Sequence, residues 1–403
     1  MNYFYMLCVA GYPGALRFIF FLAGGIYFSQ AAISEAGASL SILMLLSYFT
    51  SVGWCSLLFS DYKKEKLRDD IPFKLLAYSS LTVVFVSCVS PLFGDFFSLT
   101  VVSCIYFLFS WSTYQIVRHT LIVQKKYKVI FFIELVLTVI FFGITAFIWN
   151  IHYNQVGLIP LYSSLWLVLS IILFFIARPY IIPLKRQGLF LEGNLVRKGA
   201  VSSASNFLSG GALYLLTPVS KLAMSDAMTS QFFMMTLFIQ MSILLPRSIA
   251  INYLPAMARL ETAKEIEMSV KYFRKKFILI NVFTIVLCLL LWSFYVQFLV
   301  KSAVYSVFDL APIFISLLLA SVFSVLNMPI ANACQILGVQ RFNFYSNVIF
   351  FISILTSFLL LDFVGHELQQ ANILAFSLLV ATIARNLLNA KLLKGESLNR
   401  EAL

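Results

Sequence analysis

Apolar stretches of about 20 residues recur along this chain, which is the length a helix needs to cross a bilayer. The basic residues fall almost wholly in alternate gaps between those stretches. Of 29 Lys and Arg residues, 24 lie in the gaps Asp61–Lys74, Arg118–Lys128, Arg178–Lys198 and Arg259–Lys276, in the turn at Arg341 and in the tail after Ala390. The other set of gaps carries only Lys221 and Lys301. Arg17, Arg247 and Arg385 lie inside or at the ends of apolar spans. Lys and Arg in short loops stay on the cytoplasmic side. The pattern therefore predicts an even number of crossings with both termini cytoplasmic. It also accounts for the net charge of +12 without nucleic acid, since those cations face anionic lipid headgroups.

A content of 61% hydrophobic and 11% charged residues, with 41 Phe, excludes an ordinary soluble protein. Twelve spans are expected, at about 6–28, 39–59, 75–93, 97–117, 129–149, 158–177, 200–219, 231–251, 277–300, 310–332, 344–361 and 373–388. The runs are continuously apolar and do not alternate with period two, so helices are expected and not a barrel. Cys8, Cys55, Cys88, Cys104, Cys288 and Cys334 sit in or beside spans, form no CxxC pair, and read as small buried apolar residues. His119, His152 and His366 are isolated and expected in loops, with no metal-ligand spacing. No basic residue precedes Arg17, so a cleaved signal peptide is not expected, although Ala36-Gly37-Ala38 resembles a cleavage site.

The basic segment 178–199 holds Pro179 and Pro183 and divides the chain near its middle. The expected organisation is a six-helix bundle over 1–177, a cytoplasmic linker over 178–199, and a second six-helix bundle with a short tail over 200–403. Repeated halves are common in transporters. Phe21-Leu22-Ala23-Gly24-Gly25 is echoed by Phe207-Leu208-Ser209-Gly210-Gly211, and Val123-Gln124-Lys125 before Val129-Ile130-Phe131-Phe132-Ile133 by Val339-Gln340-Arg341 before Val348-Ile349-Phe350-Phe351-Ile352. Both echoes are six spans apart, as a duplicated half requires.

The outer loops, around His152, Asp226, Asp309 and His366, are too short to build a catalytic domain. No Gly-rich phosphate-binding loop with Lys occurs, so ATP hydrolysis is not expected. The reading is a non-enzyme, with no catalytic residues, no cofactor and no metal. Charge inside the spans is then the informative class, because it is costly in hydrocarbon. Arg17 either faces a hydrated cavity and an anionic cargo group or snorkels to a headgroup. Glu134 is a coupling candidate that could pair with Arg17, titrate, or reach back to Lys128. Arg247 follows Pro246, where a bend is permitted. Lys221 follows Thr217-Pro218 at the outer end of span seven. Arg385 is expected to snorkel toward the cytoplasm. Ser202, Asn206, Ser209 and Gly210 share one helical face, either a polar cavity wall or a close-packing seam. Asn327, Asn332 and Gln335, near Pro329, form a second polar set with the same two readings.

The chain resembles the Wzx-type O-antigen flippases of the multidrug/oligosaccharidyl-lipid/polysaccharide exporter (MOP) superfamily. The resemblance rests on the twelve spans, the basic mid-chain loop and the short outer loops. Local segments agree: an expected span-one to span-two hairpin through Ile33-Ser34-Glu35-Ala36-Gly37, Tyr253-Leu254-Pro255-Ala256-Met257-Ala258, and Gln335-Ile336-Leu337-Gly338-Val339-Gln340-Arg341. The resemblance implies an all-α membrane protein with a MATE-like V-shaped fold around a central cavity. It implies a polyprenyl-diphosphate-linked oligosaccharide, the O-antigen repeat unit, moved from the cytoplasmic to the periplasmic leaflet of a bacterial inner membrane by ion-coupled alternating access. Membrane lipids, a polysaccharide polymerase and chain-length proteins are the implied partners, and nucleic acid is not. Arg17, Lys221, Arg247, Asn206 and Ser202 are the cavity candidates. Arg suits a diphosphate because it forms paired hydrogen bonds.

Other functions stay open. An O-antigen polymerase would have similar composition but a sizeable basic periplasmic loop. A cation-coupled small-molecule exporter of the same superfamily would rely on acidic cavity residues. A membrane scaffold would be expected to carry a cytoplasmic docking domain.

Overall fold

The structure, a computed structural model, describes residues 2–55, 57–58, 70–92, 99–152, 157–182, 191–257, 260, 262–299, 305–336 and 340–401. Loop cations Lys63, Lys64, Lys66, Arg68, Lys185, Arg186, Arg259 and Lys301 lie outside the described residues.

Among the described residues there is no strand, and the long elements are α-helices: α1 (Asn2–Tyr27), α2 (Gln30–Ser47), α3 (Ile71–Ser87), α4 (Val101–Val123), α5 (Tyr127–His152), α6 (Leu158–Ile181), α7 (Gly193–Ala223), α8 (Asp226–Met257), α9 (Ala263–Phe294), α10 (Val307–Ile336), α11 (Gln340–Leu359) and α12 (Glu367–Glu401). Each overlaps one expected span. Seven stretches, in α1, α2, α5, α6, α9, α10 and α12, are long and apolar enough by length and composition alone to cross a membrane. Ile71–Ser87, Ala212–Ala223 and Phe344–Leu359 form shorter apolar helical stretches.

Local chemistry sets the helix ends. Thr100 and Ser103 form a capping box at the start of α4, and Thr262 and Glu265 do so at α9. Ser29 caps α2, its hydroxyl accepting from the Ala32 N–H at 3.3 Å. The α1–α2 turn is therefore at Phe28-Ser29, and Ile33–Gly37, expected to be that hairpin, lies inside α2. A serine cap followed by Ala and Ile starts the helix ahead of the segment that the resemblance had placed in the hairpin. The α4–α5 turn carries Lys125 at φ 57. There Lys126 N–H donates to Leu121 O at 3.0 Å and Lys125 N–H to Ile122 O at 2.9 Å, the two bonds that close a helix with a left-handed residue. Other corrections are smaller: His119 lies in α4, its Nδ1–H donating to Gln115 O at 2.7 Å, and Cys88 is exposed beyond the end of α3.

The packing repeats six helices apart. α4 packs on α2, α3 and α6, and α10 packs on α8, α9 and α12; likewise α5 packs on α6, and α11 on α12. By contacts the chain forms two compact units, one of Met1–Tyr12 with Tyr27–Pro218, the other of Pro13–Ile26 with Val219–Leu403. Most of α7 stays with the first unit because its small residues seat on the end of α2. A side chain at Gly53 would overlap Ser203, one at Gly199 would overlap the Trp54 ring, and one at Gly210 would overlap the Tyr48 hydroxyl. Aromatic rings fill the first unit, with Trp111 and Tyr114 at 4.7 and 4.6 Å from Trp166. In the second, Trp292 stacks on Phe314 at 4.3 Å.

Candidate functional site

In the first unit the α4–α5 turn brings two opposite charges level. Arg118 and Glu134 are 3% and 1% exposed, and Arg118 Nε lies 2.9 Å from Glu134 Oε1. The Tyr114 hydroxyl donates to the same carboxylate oxygen at 2.6 Å, and its ring lies 5.8 Å from the guanidinium carbon. Arg118 Nη2 also donates to the backbone carbonyl of Val9 on α1. The Tyr12 hydroxyl donates to the Glu134 carbonyl at 3.2 Å and meets the Thr138 hydroxyl. A buried ion is tolerable when its charge is matched, and this cluster pairs the two charges across α1, α4 and α5 while Glu134 Oε2 is buried without a hydrogen-bond partner among the described residues. Glu134 thus meets Arg118, not Arg17 or Lys128. Arg118 itself is no loop residue: α4 continues to Val123 and buries it.

In the second unit, Arg17 is 7% exposed and its Nη2 donates to the Gln240 side-chain oxygen on α8. Aromatic contacts flank it, Phe18 with Phe238 at 4.8 Å and Phe21 with Phe233 at 5.0 Å. Arg17 is therefore held in protein. Arg385 does not snorkel. It is 5% exposed, with its guanidinium 4.2 Å from the Phe350 ring centroid and Nη2 3.3 Å from Ser324 Oγ. Beside it, Asn389 donates to Asn327 Oδ1 at 3.1 Å and Asn386 to the Phe323 carbonyl at 3.2 Å.

The remaining candidates are dispersed. Lys221 is ion-paired with Asp226 across the α7–α8 turn. Asn206 donates to Ser202 at 3.4 Å along α7, and Gly210, on the same stripe, is a packing position against Tyr48. Asn332 donates to the Ala250 carbonyl at 3.5 Å. Arg247 lies in α8; its side chain, and those of Ser209 and Gln335, are outside the described residues. Among the described residues no group of three His, Cys, Asp or Glu could hold a metal. Near the expected outer side, Glu367 accepts from Ser225 N–H at 3.1 Å, Ser225 Oγ at 2.8 Å and the Tyr305 hydroxyl at 2.7 Å. Burial, then the hydrogen bond and charge of Glu367, hold the Tyr305 hydroxyl above its usual pKa.

Sequence reasoning missed Arg118, Tyr114, Tyr12 and Gln240. One signal for Arg118 was present: Leu121-Ile122-Val123 extends the apolar run beyond it.

No protein-family model matches the sequence, and no curated protein matches it. Solved structures do match. The chain is similar to the lipid II flippase MurJ in an inward closed conformation, with TM-score 0.68 and 16% identity over 96% of this chain and 87% of that one. It is similar to an inward-facing multidrug resistance MATE family transporter of the MOP superfamily, with TM-score 0.64 and 11% identity over 98% and 95% of the two chains. A MOP superfamily transporter from Pyrococcus furiosus, described as having a binding pocket of reverse polarity that suggests a different function, matches with TM-score 0.62 and 13% identity over 98% and 95%. The chain therefore has the all-helical fold shared by MATE transporters and the MurJ flippase.

Proposed function

We propose that this protein is a flippase for a lipid-linked anionic glycan, specifically a polyprenyl-diphosphate-linked oligosaccharide of the O-antigen repeat type. It would move that cargo from the cytoplasmic to the periplasmic leaflet of a bacterial inner membrane by alternating access. The observation that carries the reading is the sign of the buried charge. Among the described residues Arg17, Lys74, Arg118 and Arg385 are buried against only Asp70 and Glu134. An interior that is net positive suits a diphosphate and disfavours the cationic cargo of a drug exporter. The fold likeness to a lipid II flippase supports a lipid-linked cargo. Arg17 is the proposed diphosphate contact, with Lys221, Arg247, Ser202 and Asn206 as further cargo contacts and Glu134 as the coupling residue. Flipping requires no covalent chemistry. The protein supplies charge, a polar path for the sugar and a route for the tail in lipid.

Purified protein reconstituted into vesicles should accelerate transbilayer movement of a fluorescent polyprenyl-diphosphate oligosaccharide. Vesicles that instead accumulate a hydrophobic organic cation, and leave the lipid-linked glycan in place, would assign the chain to the exporter alternative.

A further inference from the structure

In an α-helix the carbonyl of residue 9 accepts from the N–H of residue 13. Residue 13 of α1 is proline, which has no N–H and whose ring crowds that carbonyl. A backbone carbonyl left bare in an apolar interior is costly, so breaks in spanning helices persist where other groups re-satisfy them. α1 runs on as one helix through Pro13, so the break is in its hydrogen-bond ladder alone, and there the missing donor comes from another helix, because Arg118 Nη2 donates to Val9 O. The same guanidinium is fixed through its Nε by Glu134 at 2.9 Å, and Glu134 is fixed in turn by Tyr114 at 2.6 Å. Tyr12, the residue before the proline, is fastened by its hydroxyl to the Glu134 carbonyl. The break also coincides with the point where α1 changes contact unit, between Tyr12 and Pro13.

We propose that Arg118 is a positioning residue that splints the proline break in α1: it gives Val9 the hydrogen bond Pro13 cannot, and Glu134 and Tyr114 hold it there. This accounts for the choice of arginine. A guanidinium holds Nε–H and Nη2–H in one fixed planar fork, so a single side chain serves Glu134 and Val9 together, whereas a lysine ammonium is a compact point charge. It also gives the Arg118–Glu134 pair a role other than mutual neutralisation. The inference is independent of the cargo.

The test separates a splint from a simple counter-ion. Five purified proteins are compared in detergent: the parent, Pro13→Ala, Arg118→Met with Glu134→Gln, the triple variant, and Arg118→Lys. The paired replacement leaves no bare charge buried. Alanine at position 13 restores the N–H that Val9 lacks, so Arg118 becomes redundant to that carbonyl. The Tm loss caused by the paired replacement should be at least about twofold larger in the proline background than in the alanine background. Arg118→Lys should fall between the parent and the paired replacement. Equal losses in the two backgrounds, or a parent-like Tm for Arg118→Lys, would overturn the proposal. If Pro13→Ala does not accumulate, alkylation of Cys8, in a protein whose other cysteines are Ser or Ala, supplies the answer. The turn before the break should loosen and Cys8 should react faster in the paired replacement; an unchanged rate would overturn the splint. Neither measurement uses cargo, so failure here leaves the flippase reading standing.

Discussion

Arg118 and Glu134 form a salt bridge at 2.9 Å between neighbouring helices, and neither side chain is more than 4% exposed. Removing one member leaves the other charged in a low-dielectric interior, which typically costs about 3–5 kcal/mol. Arg118→Ala and Glu134→Ala should each lower the yield of folded protein sharply. Exchanging the charges, Arg118→Glu with Glu134→Arg, keeps neutrality but moves the guanidinium away from Val9. It should recover part of the stability and none of the transport. Detergent thermal unfolding with a flipping assay checks both, and full transport in the exchanged protein would show that only neutrality matters.

Arg385 gives the opposite expectation. It is buried against Phe350 and Ser324, and among the described residues no carboxylate faces it. Replacing a buried ion by an apolar residue of similar volume is often neutral or stabilising. Arg385→Met should therefore leave Tm unchanged or higher. If its charge serves an anionic cargo, transport should fall in the same protein. A variant that loses both together would place Arg385 among the residues that hold α10, α11 and α12 together.

The helical architecture was legible because its signals are local. Among the described residues, every long helix overlaps a stretch that apolar length had marked. What was hidden depended on ends and partners. Stopping span four at Val117 left Arg118 in a loop, although the helix continues for six more residues to Val123. Glu134 was recognised as unusual, but its partner sits on another helix and sequence distance does not reveal facing registers. Arg385 was read as snorkelling because its neighbours across α10 and α11, Ser324 and Phe350, are 61 and 35 positions away. The Ser202–Gly210 stripe was ambiguous for a physical reason: small residues serve a packing seam and a polar wall equally well.

The α2–α7 seam is a packing test. A side chain at Gly53 or Gly199 would overlap Ser203 or Trp54, and overpacking typically costs about 1–3 kcal/mol. Gly53→Ala and Gly199→Ala should lower Tm, whereas Gly143→Ala should not, since nothing lies within 4 Å of a Cβ there. Equal behaviour of the three would show that α2 and α7 do not meet through these glycines.

The alternation of basic gaps predicts orientation. Reporter fusions at Asn154, Asp226 and Glu367 should read periplasmic, and those at Lys64, Gln187 and Leu403 cytoplasmic. A periplasmic signal at Gln187 would invert the second half and end the parallel-repeat reading, despite packing pairs that recur six helices apart.

Arg17 decides the cargo reading most directly. It lies after the proline break in α1, is 7% exposed, and donates to the neutral side chain of Gln240. A cation at a helix centre costs about 2.5–3.5 kcal/mol on insertion scales. Such a residue is retained at lower cost if a diphosphate adds to its coordination during transport. Arg17→Ala should insert and accumulate normally, yet fail to restore surface glycan in a flippase-deficient strain. Arg17→Lys should be partly active, keeping the charge and losing the two-pronged geometry. Gln240→Glu should be inactive with stability preserved or raised, because the new carboxylate would occupy the guanidinium that the cargo needs. Normal surface glycan in Arg17→Ala would show that this arginine serves only to join α1 to α8, and the anionic contact would have to be sought elsewhere.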